Sequence, residues 1–366
     1  MKSHIKVINI PHHSEEWFEF RKNGIGGSEA ATVLGINKYD TAARLFHEKI
    51  GTIDHRKDDN ERMLFGRVLE EQIANIWRYF DGSKDGYVEN YNNNRIIREC
   101  RNLNGYAVNP NYPWLFGSVD RLINIKGGFN LITGEPLSTE AILECKNLSY
   151  WSAQQWEDGI PIYFLVQVHV YMIIFETDYA EIAMLVDGGN FVVEKVMRDD
   201  QLVERILSIT KDFWYKRILP AKEALKNRSE HELIGNIVEI ERCESIIQRL
   251  EPESDDSDAY AEFMEERFVK EREQTIGTLA QLKVAKDYRF LMSLRTHLDK
   301  VMQGIKNKFI KDFTDKDTES FDFGSLGYVN WSLRKGTKNR TFNNKLKEKP
   351  TDEQVEEQFN KLDLEY

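Results

Sequence analysis

The chain is poor in cysteine and proline, and it has no long apolar run. Its three cysteines, Cys100, Cys145 and Cys243, are odd in number and far apart. That excludes a disulfide framework and a four-cysteine zinc or iron–sulfur centre, and it suits a reducing compartment. No stretch of about 18 apolar residues occurs, so no membrane span is expected. Residues 1–17 lack an apolar segment ending in small residues, so no secretion signal is read there and a cytoplasmic location is expected. No repeat with a period of roughly 20–50 residues is present, which excludes a solenoid. Basic residues are outnumbered by acidic ones, 50 to 61. The net charge is −11 over 366 residues, at first unfavourable for a polyanionic partner.

The deficit is local. Residues 230–273 hold 15 acidic and five basic side chains, and the remainder is close to neutral. The acidic block reads as a solvated helical face. Near the carboxyl end Arg334, Lys335, Lys338, Arg340, Lys345, Lys347 and Lys349 are almost unopposed. With Tyr328 and Trp331 ahead of them, they are a candidate for phosphate contact. Hydrophobic content of 41% and aromatic content of 11% provide a core for one large domain or two ordinary ones.

Apolar spacing and punctuation give a coarse map. Ser14 caps a helix that ends near Asn23-Gly24. The run Gly24-Ile25-Gly26-Gly27-Ser28 leads into a second helix with Ser28 as its expected N-cap. Further helices are read from Thr41 to Lys49 and from Asn60 to Phe80. The turn Asn109-Pro110-Asn111-Tyr112-Pro113 precedes an expected strand from Phe116 to Ile123, and Ala141–Lys146 is a second strand. A helix spans Pro161–Phe175. Tyr179–Val186 and Asn190–Val196 form a hairpin about Asp187-Gly188-Gly189. Asp199 to Lys226 is a capped helix bent at Pro220. From residue 229 to 313 the spacing predicts a coiled-coil-like helical hairpin turning at Glu251–Ser254, followed by strand character at Gly327–Trp331. The expected fold class is mixed α/β. The expected divisions are 1–228, 229–313 and 314–366.

Chemistry concentrates at Asp120 and at Glu144-Cys145-Lys146. A strand repeats every two residues, so Glu144 and Lys146 share a face while Cys145 points away. Two carboxylates and an ammonium on paired strands suit a hard divalent cation and a polarised water. They equally suit a salt bridge on an exposed sheet face. Cys145 itself reads as a small buried hydrophobe. Gln167 lies on an apolar helix and needs hydrogen-bond partners there. Tyr171, one turn on, shares its face, whereas His169 lies off it and reads as structural. His12 and His13 read as a solvated pair. The amides opening the Ser28 helix form an anion site, and Arg21 is a forked donor suited to phosphate. The glycine-rich segment lacks a terminal Lys-Ser/Thr and does not follow a strand, so it is not a nucleoside triphosphate loop.

Six segments in this order resemble the YqaJ-type viral recombinase nucleases, the family of phage lambda exonuclease within the PD-(D/E)xK superfamily. They are Trp17-x-x-x-Arg21, Gly24–Ser28, Gly66 with Leu69-Glu70, Gly117-Ser118-Val119-Asp120, Leu143-Glu144-Cys145-Lys146, and Gln167 on its helix. The resemblance covers roughly residues 12–226. It implies a restriction-endonuclease-like core: a central mixed sheet flanked by helices. It implies Asp120, Glu144 and the Cys145 carbonyl as metal ligands, with Glu70 supporting the metal or its waters. Lys146 would activate the attacking water or offset developing charge, and Gln167 would face the cluster. Arg21, Gly27, Ser28 and Ser118 would grip a 5′-terminal phosphate. The implied cofactor is Mg²⁺, with Mn²⁺ as substitute. The family's further acidic position is occupied here by Asn109 and Asn111, so the count stands at one or two ions.

The implied activity is 5′-to-3′ degradation of double-stranded DNA ends to expose 3′ single strands. A single-strand annealing protein is the implied partner, and a toroidal homotrimer the implied assembly. Two alternatives stand beside this reading. One is a structure-specific or restriction-like endonuclease. The other is a non-catalytic DNA- or partner-binding protein on a nuclease fold.

Overall fold

A computed structural model describes residues 2–11, 14–54, 61–83, 86–156, 159–267, 277–316, 318–323, 326–333, 340–346, 350–351 and 354–355. The chain forms two compact units, Met1–Lys270 and Glu271–Tyr366. The division between these units falls inside the acidic stretch. His12, His13 and most of the basic run after Trp331 lie outside the described residues.

The first unit contains β1 (Lys6–Ile8), α1 (Glu15–Arg21), β2 (Ile25–Gly26), α2 (Gly27–Val33), α3 (Ala42–Ile50), α4 (Glu61–Trp77) and α5 (Gly86–Asn92). Then come β3 (Cys100–Arg101), β4 (Tyr106–Val108), β5 (Leu115–Gly117), β6 (Arg121–Ile123), β7 (Ala141–Leu148), α6 (Tyr150–Ala153) and α7 (Ile162–Phe175). It closes with β8 (Tyr179–Val186), β9 (Asn190–Met197), α8 (Asp200–Asp212), α9 (Leu219–Leu233), α10 (Ile237–Leu250) and α11 (Asp258–Arg267). The strands form a four-stranded sheet, β1-β4-β5-β2, and a five-stranded sheet, β3-β6-β7-β8-β9. In the larger sheet β7 and β8 run parallel and the other pairs antiparallel. The fold is therefore mixed α/β, with mixed sheets flanked by helices.

The helix α7 is apolar on nearly every side (IYFLVQVHVYMIIF), the signature of a helix buried all round. It contacts strands of both sheets, as well as α2 and α8. Alternation along β7 assigns its two faces. Ile142 and Leu148 join the core beneath α7, while Ala141, Leu143 and Cys145 join a second core under α4 with Ile73 and Trp77. Glu144 and Lys146 therefore face α7. Behind the sheet, Glu181 of β8 is fully buried and is held by Arg98 (2.5 and 3.0 Å), Trp77 Nε1 (2.7 Å) and the Tyr179 hydroxyl (2.9 Å). This polar knot ties α4 to the sheet. A buried carboxylate is tolerable only when paired in this way.

Two helical expectations need correction. The 229–313 stretch is not one hairpin. The chain turns first at Ile234–Asn236, where Gly235 takes φ +68° and Asn236 caps α10, and α10 packs back along α9. A left-handed residue after a helix is a glycine position. Between α8 and α9, residues Phe213–Ile218 form a π turn. Pro220 has no N–H for the Lys216 carbonyl, so the helical ladder widens ahead of it.

The second unit contains the 37-residue α12 (Leu279–Asp315) and an antiparallel sheet of β10 (Ser320–Asp322), β11 (Gly327–Leu333) and β12 (Arg340–Leu346). Its core stacks Phe313 on Phe321 (4.6 Å between ring centres), with Val329 buried nearby. No described helix is long and apolar enough to cross a membrane.

Candidate active site

The expected Phe116–Ile123 strand is divided. β5 pairs with β4 and β2 in one sheet, and β6 pairs with β3 and β7 in the other. Asp120 occupies the bend where the chain crosses between the sheets. The β6–β7 ladder stops at Arg121↔Leu143, and Asp120 Oδ2 takes over as acceptor for the Cys145 N–H at 2.7 Å. The crossing is what brings the carboxylate to β7.

Glu144 and Lys146 meet on one face, as the strand period requires. Lys146 Nζ lies 2.6 Å from Glu144 Oε1, and Gln167 Nε2 donates to the same oxygen at 2.8 Å. Gln167 also donates to the Tyr171 hydroxyl at 3.0 Å. The face is not an open one: the Glu144 side chain is 3% exposed and that of Lys146 21%. Glu144 Oε2 is buried and has no partner among protein groups. An unpaired carboxylate oxygen in a buried site costs free energy unless something satisfies it.

The local field follows from this crowding. Burial first, then Glu144 and Glu70, push the Asp120 carboxyl well above its usual range, against the pull of Lys146 and the Cys145 N–H. Burial opposes the charge on Lys146, but Glu144 and Asp120 outweigh it and raise its pKa above 10.5. Glu70 reaches this neighbourhood by way of Arg121, which donates to Glu70 (2.6 Å), to Glu71 (2.7 Å) and to the Asp120 carbonyl (2.5 Å). Arg121 was not singled out from the sequence. Its only signal there is its place directly after Asp120.

The donor set suits a hard cation. Asp120 and Glu144 are the adjacent carboxylates, Glu144 Oε2 has no protein donor, and Glu70 is engaged by Arg121. Among the described residues no group of three or more His, Cys, Asp or Glu side chains is arranged to hold a metal ion. A magnesium site that relies on one or two carboxylates, backbone oxygen and water needs no such group. Asn109 and Asn111 do not extend the set. Asn109 donates to the Ile174 carbonyl (3.0 Å) and both donate to Glu176 (3.1 and 3.3 Å), so they fasten the turn before β5 to the end of α7.

The glycine-rich segment departs from expectation in its cap and in Arg21. The N-cap of α2 is Gly26, with Glu29 Oε2 accepting from the Gly26 N–H at 2.7 Å; Ser28 lies inside the first turn. A Cβ on Gly27 would sit 2.5 Å from the Tyr171 ring, so glycine is required for α2 to approach α7. Arg21 is not a free donor. It pairs with Glu29, lies over Trp17 (4.9 Å) and is only 15% exposed. Glu29 also takes Lys49 Nζ at 2.7 Å. This buried triad was not foreseen, although Glu29 three residues after a cap position is the capping-box spacing. The buried Glu48 also lies in the field of both cations, so the surplus positive charge of the triad is offset, and Arg21 Nε is buried without a partner. The Tyr171 hydroxyl lies in the fields of Glu144, Asp120 and Arg21 together, which links the triad to the carboxylates. Ser28, Lys146 and Gln167 line one cavity. Ser118 is half-buried on the same crossing as Asp120. His169 is structural: it contacts the Leu165 carbonyl (2.7 Å) and accepts the Asp199 N–H (3.0 Å).

Residues 16–180 match the profile of the YqaJ-like viral recombinase domain. The uncharacterised protein YqaJ of Bacillus subtilis (strain 168) is 30% identical over 221 residues, 60% of this chain and 60% of that one. The chain thus spans about 60% of the length of that curated relative. Two solved structures are also similar. An alkaline exonuclease (LHK-Exo) from Laribacter hongkongensis has 17% identity and a TM-score of 0.44, covering 60% of this chain and all of that one. A phage-related exonuclease from Haemophilus somnus 129PT has 14% identity and a TM-score of 0.33, covering 51% of this chain and 91% of that one. Over residues 16–180 the chain is similar to the YqaJ-like viral recombinase domain.

Proposed function

We propose that the first unit is a Mg²⁺-dependent deoxyribonuclease acting at double-stranded DNA ends, 5′ to 3′, and leaving 3′ single strands for recombination by annealing. The observation that carries this is the buried, unpartnered Glu144 Oε2 beside Asp120 and Lys146. Asp120, Glu144 and the Cys145 carbonyl would hold the ion, with Glu70 acting through water. When bound, the ion supplies a polarised water and neutralises phosphate charge. Gln167 and Lys146 fix Glu144 through one oxygen and leave the other for the ion. Lys146 is a cation at neutral pH, so its part is to stabilise charge on the phosphoryl oxygens as water adds and the 3′-oxygen leaves. Arg21, although paired with Glu29, would receive the terminal phosphate together with Ser28, Ser118 and the α2 amides. Family resemblance supports an annealing protein as partner, a ring-shaped homo-oligomer and a cytoplasmic location.

The test is digestion of linear duplex bearing 5′-phosphate or 5′-hydroxyl, and of closed circular duplex, with and without Mg²⁺. The phosphorylated linear form is expected to disappear fastest and the circle to survive. Cutting of the circle would favour the endonuclease reading, and no Mg²⁺-dependent loss of any form would end both.

A further inference from the structure

Charge is distributed unevenly along the chain. Residues 274–350 hold 16 Lys and Arg against eight Asp and Glu, a net charge of +8 inside a chain of −11. Acidic residues crowd both flanks, at 251–273 and 352–365. The basic stretch lies outside residues 16–180 and within the second unit.

Its longest element is α12, and two phenylalanines settle which side of that helix is inward. Phe313 stacks on Phe321 of β10, and Phe309 lies 5.9 Å from Phe342 of β12. At 3.6 residues per turn, Lys286, Arg289, Lys300 and Lys311 fall roughly opposite them, with Lys283 and Lys308 along one border. All six are exposed, and among the described residues none of them forms an ion pair. Of the four aspartates of α12, Asp287, Asp299 and Asp312 lie off this sector, and Asp315 enters it only at the last residue of the helix.

A face kept merely soluble mixes both signs, whereas this one carries a single sign from Lys283 to Lys311, about 42 Å along the axis. That exceeds one turn of B-form duplex, roughly 34 Å, so the row can meet phosphates on both sides of a groove. A bilayer of anionic lipid is the competing polyanion. A helix lying on a bilayer must bury its apolar side, and the last turns of that side are already covered by β10 and β12.

We infer that α12 carries a second nucleic-acid-binding surface. It takes the phosphate backbone of duplex DNA through Lys283, Lys286, Arg289, Lys300, Lys308 and Lys311, reads no sequence and needs no DNA end. The surface requires none of the chemistry at Glu144. On the reading of the first unit as a nuclease, it tethers the duplex between cuts.

The test measures the Kd of the full chain for closed circular duplex, in chelator, over a range of salt concentrations. The wild type is expected to bind with a Kd below about 10⁻⁴ M near physiological salt, with log Kd rising steeply with log salt. Lys286→Glu combined with Arg289→Glu and Lys300→Glu is expected to weaken binding at least tenfold and to lower that slope by roughly one per residue replaced. Arg295→Glu, on the inward side, is expected to leave Kd and slope nearly unchanged. No binding of the circle, or a triple variant that matches the wild type in Kd and slope, would overturn the proposal. So would a loss from Arg295→Glu equal, per residue, to that of the triple variant, because net charge alone would then account for both. Vesicles of phosphatidylserine and phosphatidylcholine are run beside the circle, and variant-sensitive capture by vesicles in place of the circle would assign the face to a membrane instead. Nucleotide release in Mg²⁺ is read separately. A wild type that never cuts, combined with variant-sensitive binding of the circle, would sink the nuclease reading and leave this surface standing.

Discussion

Replacing Glu29 with Gln isolates the buried triad that seats α2 against α1 and α3. Burial alone would raise the Glu29 carboxyl, but Arg21 and Lys49 outweigh it and hold it at about 2, against 4.5 when unperturbed. A carboxyl held that far below its ordinary value corresponds to stability on the order of 3 kcal/mol supplied by the ionised form. Because the pKa falls on folding, that contribution is complete above about pH 4.5 and is lost as pH drops toward about 2. Glu29→Gln leaves two cations facing a neutral amide, and breaking a buried pair in this way costs about 3–5 kcal/mol. Lys49, already lowered to about 8 chiefly by burial, loses the nearer of its two supporting carboxylates and keeps Glu48. Its folded pKa falls further, so the variant should gain stability as pH rises through neutrality toward 10, more steeply than wild type. The assay is urea unfolding followed by tryptophan fluorescence from pH 2 to 10. Six of the seven tryptophans lie in the first unit, so the signal reports that unit. A variant that loses less than about 1 kcal/mol at pH 7, or keeps the wild-type slope between pH 2 and 4.5, would refute the reasoning.

Three further outcomes are expected. Lys146→Ala should lower turnover about 10²–10³-fold with DNA affinity retained, the scale of losing one electrostatic stabiliser; single-turnover rates and filter binding check the split. Gly27→Ala should destabilise the first unit by about 1–3 kcal/mol through overpacking on Tyr171, and a companion Tyr171→Leu should recover part of that loss in a double-mutant cycle. Arg98→Met should cost about 3–5 kcal/mol by stranding the buried Glu181, measured by urea unfolding at pH 7, with a cost under about 1 kcal/mol counting against the pairing.

What could be read from sequence was what depends on near neighbours. Alternation placed Glu144 and Lys146 on one face of β7, and a four-residue step placed Gln167 and Tyr171 together on α7. The β8–β9 hairpin followed from its turn residues. What escaped was set by distant parts of the chain. The apolar run around Asp120 looks like one strand, because the pattern cannot reveal that its halves pair in different sheets. Arg21 looks like a free phosphate donor until Glu29, on the next helix, and Lys49, on the one after, close on it. Arg121 is unremarkable in sequence, and only folding brings α4 with Glu70 and Glu71 against it. Gly235-Asn236 carried a legible stop signal that the longer charge pattern obscured.

The most direct measurement is the rate of nucleotide release from a 5′-phosphorylated linear duplex as Mg²⁺ is returned to chelator-treated protein, for wild type and Glu144→Gln. The expected wild-type curve starts at zero, rises and saturates, while Glu144→Gln stays near the baseline at every magnesium concentration. Metal-independent release, or a Glu144→Gln curve that overlays the wild type, would contradict a cation-loaded carboxylate site at the crossing of the two sheets.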